Sequence, residues 1–436
     1  MNKSIVVVGT LDTKGDALVY LKDLIEETGY STILVDVGVL GDVPFAPSIT
    51  RHEVAHAAAS TISEIVELRD ESRAMEKMAE GAAIIIRELH ARGEIAGVLV
   101  VGGSTGTALG LELMKRIPLG IPKLILSTIA YSRLISPDIA DSDTLMMPWV
   151  AGLWGLNRMS RRALETAAGA ITGAAERYTR TEYPRTRTVA VSSLGVAINR
   201  YMERLKPALE ERGYAVAVFH ATGMNTRLME RAIRDGEIDA VLDLCVGTEI
   251  VADITGGVNS AGPNRLTAAG ARGIPQIASP GGLEVFHWIA SDPLPSALRN
   301  RPKKCHNSLM NIILSSVEER AKAGKRMAEK LNASLGPAAV VVPVQGLRSK
   351  RVLEEQTADP GAPLDPFFAG IMNPTAGTEA FLEALKSNLH KEIEVVALDA
   401  GVNDPVFVDR ILELFDAMMA TTQEERSGQK AALSPS

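Results

Sequence analysis

Short apolar runs alternate with longer amphipathic stretches from the start of the chain. Residues 4–8 predict a buried strand, and the following helix places its leucines on one face. Residues 33–37 predict a second strand. Residues 51–68 and 72–92 predict helices, because spaced apolar residues continue there without proline. Alternating strands and helices predict a parallel sheet with helices on both faces.

The clearest unit of this pattern spans residues 93–130, where a strand over 98–101 and a helix after 107 flank the segment GGSTGT. A glycine-rich turn between a strand and a helix presents backbone N–H groups and the positive end of the helix dipole, which suit a phosphate. The alternative is a tight turn without a ligand. The candidate ligand-binding residues here are Gly103, Ser104, Thr105, Gly106 and Thr107.

A second candidate phosphate loop, GTLDTKGD, follows the first strand at residues 9–16. It differs from a P-loop because Lys14 precedes Gly15. Its lysine supplies a cation, its threonines supply hydroxyls, and Asp12 suits Mg²⁺ held through water. The alternative is a solvated helix start. The candidate ligand-binding residues are Gly9, Thr10, Asp12, Thr13 and Lys14.

Two further groups of polar residues follow the strand predicted at residues 121–126. Ser127 and Thr128 lie just past its carboxyl end, where open α/β sheets bind ligands. Asp138, Asp141 and Asp143 then cluster in one loop. Most acidic loop residues are only solvated, and of the three we retain Asp143, with Asp12, as a candidate magnesium ligand.

The second half of the chain repeats landmarks of the first. GEI recurs at residues 93–95 and 236–238, and GIP at 120–122 and 273–275. The repeat predicts two similar α/β domains from duplication. The polar, proline-containing segment 177–187 predicts the boundary, which gives an N-terminal domain over 1–180 and a C-terminal domain over 186–422.

Later elements follow the same reasoning. We expect helices over 157–176, 308–332, 376–388 and 405–420, strands over 338–342 and 393–397, and a disordered tail over 423–436.

The second domain has its own chemically suited side chains. Arg265 can bind an anion bidentately, Glu284 can act as an acid or base, and His306 lies in a polar stretch. They support an alternative function: an enzyme acting on a small phosphorylated or carboxylated metabolite in a cleft between the domains.

Composition narrows the classes of function. The net charge is −7 and aromatic residues make up 4% of the chain, so nucleic acid is not an expected partner. We find no signal peptide and no apolar run of transmembrane length. Two cysteines, Cys245 and Cys305, fit a reducing compartment. We therefore expect a cytoplasmic protein that does not bind membranes.

Several motifs together resemble the ATP-binding family of the tomato mosaic virus resistance protein. The resemblance spans nearly the whole chain, although the chain departs from the family pattern at Tyr131-Ser132 and at 284–288. The matching motifs are VGTLDTKG at 8–15, GGSTGTAL at 102–109, GIPKLILSTIA at 120–130, SDTLMM at 142–147, SAGPNRLTAAG at 260–270 and GIPQIASPGG at 273–282.

This resemblance implies two Rossmann-like domains, a homodimer, and ATP with Mg²⁺ bound mainly by the N-terminal domain. It places the nucleotide phosphates between loops 9–15 and 102–107. The plant member of the family inhibits viral RNA replication by binding a viral replication protein, and it carries an additional TIM barrel. Whether the present chain is an enzyme stays open at this point.

Overall fold

The computed structural model describes residues 3–432 except 42, 44, 137–138, 141, 182, 348–365 and 373–374. The chain divides into two compact units, Met1–Pro184 and Arg185–Ser436. Each unit contains a parallel sheet flanked by helices, which confirms the predicted α/β class. In the described part of the chain, no helix is long and apolar enough to cross a membrane.

The first unit is a doubly wound sheet with the strand order β2-β1-β3-β4-β5, all parallel. Its strands are β1 (Ser4–Gly9), β2 (Ser31–Asp36), β3 (Ile95–Gly102), β4 (Lys123–Ser127) and β5 (Leu145–Pro148). Its helices are α1 (Leu11–Glu26), α2 (Arg51–Ala57), α3 (Ile62–Glu67), α4 (Glu71–Ala91), α5 (Ser104–Met114) and α6 (Arg158–Arg180).

Strand alternation divides the core of this unit into two layers. Val6 and Val8 of β1 face α4 and α5, while Ile5 and Val7 face α1 and α6. Since the chain winds to one side of β1 through β2 and to the other through β3, the carboxyl ends of β1 and β3 form the topological switch point, where open α/β sheets bind ligands.

The second unit repeats this topology and extends it. Its parallel sheet has the order β14-β13-β9-β8-β6-β7, and an antiparallel sheet has the order β10-β12-β11. The strands are β6 (Thr188–Ser193), β7 (Ala215–His220), β8 (Ala240–Asp243), β9 (Gln276–Ala278), β10 (Val285–Ile289), β11 (Lys303–Cys305), β12 (Met310–Leu314), β13 (Ala338–Pro343) and β14 (Glu394–Leu398).

The order of β7, β6, β8, β9 and β13 matches that of β2, β1, β3, β4 and β5, as the predicted duplication requires. The helices of the second unit are α7 (Gly195–Ile198), α8 (Met202–Glu211), α9 (Met224–Asp235), α10 (Gly247–Thr255), α11 (Ala268–Arg272), α12 (Val317–Leu331), α13 (Pro366–Met372), α14 (Thr375–Asn388) and α15 (Pro405–Ala432).

Three predicted elements were wrong in extent. The helix predicted over 51–68 is two helices, because Thr61 forms a capping box with Glu64 and starts α3 anew. The helix predicted from 308 begins only at Val317, because residues 310–314 pair as β12 between β10 and β11.

The last helix runs to Ala432, so residues 423–432, predicted as part of a disordered tail, are helical. This segment lacks proline and is rich in good helix formers, so the helix continues. Residues 433–436 lie outside the described residues.

Candidate functional site

A cavity of about 700 Å³ lies at the switch point of the first unit. We call it the switch-point pocket. Its floor comes from segments that follow the first four strands: Thr10–Lys14, 37–40, 102–106 and 128–129. An apolar wall from α3, α4 and α5 completes it, with Ile65, Val66, Met75, Met78 and Leu109.

Two helices begin at this pocket, and neither is capped by the side chain of its own N-cap residue. The N-cap residues are Thr10 for α1 and Gly103 for α5, and neither makes a cap hydrogen bond from its side chain in the part of the chain that the structure describes. The other helices of the first unit, α2, α3, α4 and α6, are each capped by a Thr, Asp or Asn side chain. First-turn N–H groups of α5 are therefore available to an anion at the pocket, whereas in α1 the N–H of Leu11 already donates to Asp36 Oδ1 at 3.2 Å.

The loop after β1 brings Thr10, Asp12, Thr13 and Lys14 to the pocket, as the sequence predicts. The hydroxyls of Thr10 and Thr13 share a 2.6 Å hydrogen bond. Lys14 Nζ donates to Leu153 O at 2.5 Å, and burial lowers the pKa of its ammonium group.

Asp12 carries a buried oxygen, Oδ1, without a hydrogen-bond partner among the described residues. This oxygen lies 3.2 Å from the position that a Cβ would occupy at Gly38, on the switch-point side of α1. A buried carboxylate oxygen without a donor is unfavourable unless a ligand, ion or water completes it.

The turn after β3 divides into pocket-lining and internal residues. Gly103, Ser104, Thr105 and Gly106 line the pocket, and the hydroxyl of Thr105 donates to Glu71 of α4 at 2.7 Å. Thr107 is buried, and its hydroxyl donates to Gly103 O at 2.6 Å.

Of the two residues predicted after β4, only Thr128 lines the pocket. Ser127 is buried and shares a 2.6 Å hydrogen bond with Thr107. Gly9 packs under α1, since a Cβ there would lie 2.7 Å from the side chain of Leu18. Gly9, Thr107 and Ser127 therefore shape the pocket without lining it.

Asp143 is not brought to Asp12. Its carboxylate accepts from Lys123 Nζ at 2.6 Å and from the backbone N–H of Gly120 at 2.7 Å. Because Lys123 begins β4, this ion pair lies at the opposite edge of the sheet from the switch-point pocket. Asp143, one of the two candidate magnesium ligands, therefore lies away from Asp12 and from the switch-point pocket. Asp138 and Asp141 lie outside the described residues.

The acid at the end of β2 is also engaged internally. Asp36 pairs with Arg51 Nε at 2.7 Å and accepts from the backbone N–H groups of Leu11 and Gly38. It is 1% exposed, and its hydrogen bond from the N–H of Leu11 fixes the start of α1. Among the described residues, no group of three or more His, Cys, Asp or Glu side chains forms a metal site.

In the second unit, the position equivalent to the α5 turn is filled by protein. The N–H of Gly247 at the start of α10 donates to Gly281 O at 3.1 Å. A Cβ on Gly247 would lie 2.4 Å from Pro280 O. Residues 280–283 thus occupy the space that the first unit leaves open.

Arg265 is fully enclosed by carboxylates rather than open to a ligand. It binds Asp243 at 2.6 Å, Glu249 at 2.7 Å and Glu230 at 3.2 Å. Burial raises the pKa of the Glu230 and Glu249 carboxyls, against the pull of the guanidinium charge. This cluster is structural, which corrects its interpretation as an anion-binding residue.

The ion pairs of Arg265 go to Asp243, Glu249 and Glu230, so the structure assigns it no role beside Glu284 and His306. Glu284 is buried, and its charge opposes the effect of burial on the pKa of Arg320. His306 is exposed in the turn between β11 and β12.

Sequence reasoning missed the pocket's apolar wall and the loop after β5. Apolar positions on α3 and α4 have the spacing of any core-facing helix, so no sequence signal separates Met75 or Ile65 from an ordinary core residue. Leu153 was equally hidden, because its backbone carbonyl rather than its side chain meets Lys14.

The fold and the pocket define a protein of two tandem, doubly wound α/β units, of which the first has a ligand-sized pocket at its switch point. The chain belongs to the uncharacterised protein family UPF0261: the model of its N-terminal domain matches residues 3–180 and that of its C-terminal domain residues 186–419.

Relatives support this assignment. The chain is 37% identical over 416 residues to a UPF0261 protein of Brucella suis biovar 1, covering 95% of this chain and 96% of the relative. A UPF0261 protein of Clostridium tetani is 34% identical over 408 residues, which cover 93% of this chain and 96% of the relative. The ToMV resistance protein Tm-1(GCR237) of Solanum lycopersicum is 28% identical, covering 94% of this chain and 55% of the tomato protein. The resemblance read from the motifs is therefore confirmed.

Among solved structures, a putative UDP-N-acetylglucosamine 2-epimerase from Listeria monocytogenes aligns over 97% of this chain and 98% of its own. Its TM-score is 0.21 at 10% identity, so this likeness carries no argument about function.

Proposed function

We propose that the chain binds ATP with Mg²⁺ in the switch-point pocket. The observation that carries the proposal is the pair of helix N-termini, at Thr10 and Gly103, that face one cavity and that their own N-cap residues leave without a side-chain hydrogen bond. Phosphates are the ligands that such paired N-termini suit, because N–H donors and two helix dipoles converge on them. The apolar wall of α3, α4 and α5 offers a surface for the base.

Asp12 fits the role of holding Mg²⁺. Its buried Oδ1 has no donor in the described chain, and Mg²⁺ bound to phosphates usually takes only one or two carboxylates from the protein. Lys14 would neutralise phosphate charge, and it would exchange the carbonyl of Leu153 for a phosphate oxygen. Bound Mg²⁺ would neutralise phosphate charge in the same way.

Isothermal titration of the full chain with ATP–Mg²⁺ tests the site. Lys14→Met removes the charge and keeps the stem, so we expect binding about 10- to 100-fold weaker, the usual worth of a charge-assisted hydrogen bond. Lys325→Met, on the exposed face of α12, is the matched control and should bind as the wild type does. Equal affinity in both variants would remove Lys14 from the site, and no heat with wild type would refute the proposal.

A further inference from the structure

The wall that α4 supplies to the switch-point pocket changes in chemical character along the helix. Glu71, the first residue of α4, lines the pocket together with Ala74 and Met75. Residues three and four apart on a helix are neighbours on one face, so these side chains form a stripe that begins with an acid. We infer that the carboxylate of Glu71 binds the ribose hydroxyls of the nucleotide and selects ribonucleotides over their deoxy forms. This role rests on the proposed function.

The first observation places Glu71 beside the proposed phosphates. Its Oε1 accepts from the hydroxyl of Thr105 at 2.7 Å, and Thr105 lies in the first turn of α5. Phosphates bound at this helix start would therefore lie next to the carboxylate. Since the ribose of a nucleotide lies between its phosphates and its base, the sugar is the part of the ligand that would meet Glu71.

The second observation is the apolar surface on the other side of this acid. Met75, one turn further along α4, is half-buried, and Val66 of α3 lines the same pocket and is 41% exposed. A methionine thioether packs well against an aromatic ring. The order of turn, carboxylate and apolar surface matches the order of phosphate, ribose and base.

The carboxylate of Glu71 has free capacity for a ligand. In the described part of the chain its hydrogen bond from Thr105 is the only one it makes, and no lysine or arginine lies within ion-pair distance of it. A carboxylate is an acceptor only, with about four lone-pair sites. The two neighbouring ribose hydroxyls are donors and therefore complement it.

The two other acids that line the pocket are directed elsewhere. Asp12 Oδ1 lies 3.2 Å from the Cβ position of Gly38, where the proposed function gives it Mg²⁺. Asp70 is the N-cap of α4, and its Oδ1 accepts from the N–H of Arg73 at 3.1 Å. Of the acids in the lining, Glu71 is thus the one placed for the sugar.

The acid that dinucleotide-binding folds use for the ribose has another role here. Such folds hold the ribose with an acid near the end of the second strand. Asp36 has that position, but it pairs with Arg51 at 2.7 Å and is not part of the pocket lining. Glu71 would supply the missing acceptor from α4 instead of from β2.

The charge of Glu71 is compatible with bound phosphates. Its side chain is exposed, so water screens its charge. The lining also carries two cations, Lys14 and Arg69, and Mg²⁺ would add a third.

Isothermal titration with two nucleotides tests the role of Glu71. The full chain is titrated with ATP–Mg²⁺ and with the Mg²⁺ complex of 2′,3′-dideoxy-ATP, which lacks both ribose hydroxyls. We expect wild type to bind the dideoxy nucleotide at least about tenfold more weakly, as for lost hydrogen bonds to a charged group. Glu71→Ala should reduce this ratio of affinities to about one, because the acceptor of the hydroxyls is then absent.

The ratio isolates the contact with the sugar. Both nucleotides carry the same triphosphate, so a general change of charge or stability in a variant affects both affinities alike. Glu71→Gln keeps a weaker, neutral acceptor and should give a ratio between those of wild type and Glu71→Ala. Glu76→Ala is the matched control, because Glu76 is exposed on the same helix and does not line the pocket, and it should keep the wild-type ratio.

A third nucleotide separates the sugar from the base. Inosine triphosphate has a carbonyl in place of the amino group of adenine and so lacks that donor. We expect Glu71→Ala to leave the preference between ATP and inosine triphosphate unchanged. If the variant lost this preference while keeping the wild-type sugar ratio, the carboxylate would contact the base, and the inference would be overturned.

The outcomes also separate this inference from the proposed function. Binding of ATP–Mg²⁺ with the same sugar ratio in wild type and in Glu71→Ala would overturn the role of Glu71 and leave the proposed function intact. If wild type bound no nucleotide, the proposed function would be refuted, and the inference with it.

Discussion

Gly103→Asp should separate the stability of the first unit from its ligand binding. Gly103 is the N-cap of α5, with φ −76° and ψ −154°, a backbone conformation that any residue adopts. A Cβ there would meet only Thr128 Oγ1, at 3.8 Å, so an aspartate fits without strain. Asp is among the best N-cap residues, and it should stabilise the fold by a few tenths to about 1 kcal/mol.

The carboxylate that Gly103→Asp introduces would lie at the start of α5, where the proposed phosphate binds. If it lies about 4 Å from a phosphate, two unit charges repel by about 1 kcal/mol in water and about 4 kcal/mol at an effective dielectric constant near 20. Taking about 2–4 kcal/mol for this half-buried turn, we expect ATP–Mg²⁺ to bind about 30- to 1,000-fold more weakly.

The assay combines calorimetric titration with thermal unfolding of the full chain. Gly169→Asp is the charge-matched control, because Gly169 is exposed on α6 and a Cβ there meets nothing within 4 Å. It should leave nucleotide affinity unchanged. A Gly103→Asp protein that is as stable as wild type and binds ATP–Mg²⁺ equally well would refute the assignment of the α5 N-terminus as a phosphate site.

Three further predictions concern the stability of the fold. Arg265→Met strands three buried carboxylates and should lower the free energy of unfolding by about 3–5 kcal/mol in urea titrations. Burial raises the folded-state pKa of Glu230, so the folded chain holds this proton more tightly than the unfolded chain does. The free energy of unfolding should therefore fall as pH rises above the unfolded-state pKa of 4.5. In urea titrations at several pH values, Glu230→Gln should show a smaller decrease of this free energy with pH than wild type does. Gly81→Ala places a Cβ 1.9 Å from Val54 O, where α4 crosses α2, and should lower the free energy of unfolding by about 1–3 kcal/mol. Gly173→Ala lies on α6 with nothing within 4 Å of the new Cβ, and it should raise this free energy by about 0.5–1 kcal/mol. Thermal unfolding of both variants checks the two signs.

Much of the fold was predictable because the spacing of apolar residues along the chain indicates which faces of strands and helices are buried. Residues 5–9 of β1 and all of β3 are buried and carry no polar side chain, as strands covered on both faces require. The repeated GEI and GIP landmarks indicated the duplication. The antiparallel sheet was not predictable. Residues 310–314 are apolar except for Asn311, and this segment is too short to distinguish a strand from a helix by its sequence. Its pairing with β10 and β11 makes it a strand.

The candidate site was predictable wherever local backbone chemistry determines it. Glycines and hydroxyls at a strand-to-helix turn identified the α5 start, and the position of Lys14 after β1 identified the other loop. What could not be predicted is which polar groups the fold engages internally. Asp143 and Arg265 look as available in the sequence as Asp12 and Lys14, yet long-range ion pairs hold the first two.

The turn before α10 is filled by protein, whereas the turn before α5 is open, so the two helix starts differ in whether a ligand can bind there. At the start of α10, the carbonyl of Gly281 accepts from the N–H of Gly247, so this N–H is already paired within the protein. At α5 the N-cap residue Gly103 has no side chain to cap the helix, and a ligand bound there at 100 times its dissociation constant would add about 2.7 kcal/mol to the stability of the folded first unit. If the proposed ligand binds there, the abundance of the folded first unit would follow the supply of that ligand. The lifetime of such a protein would then depend on the concentration of a metabolite.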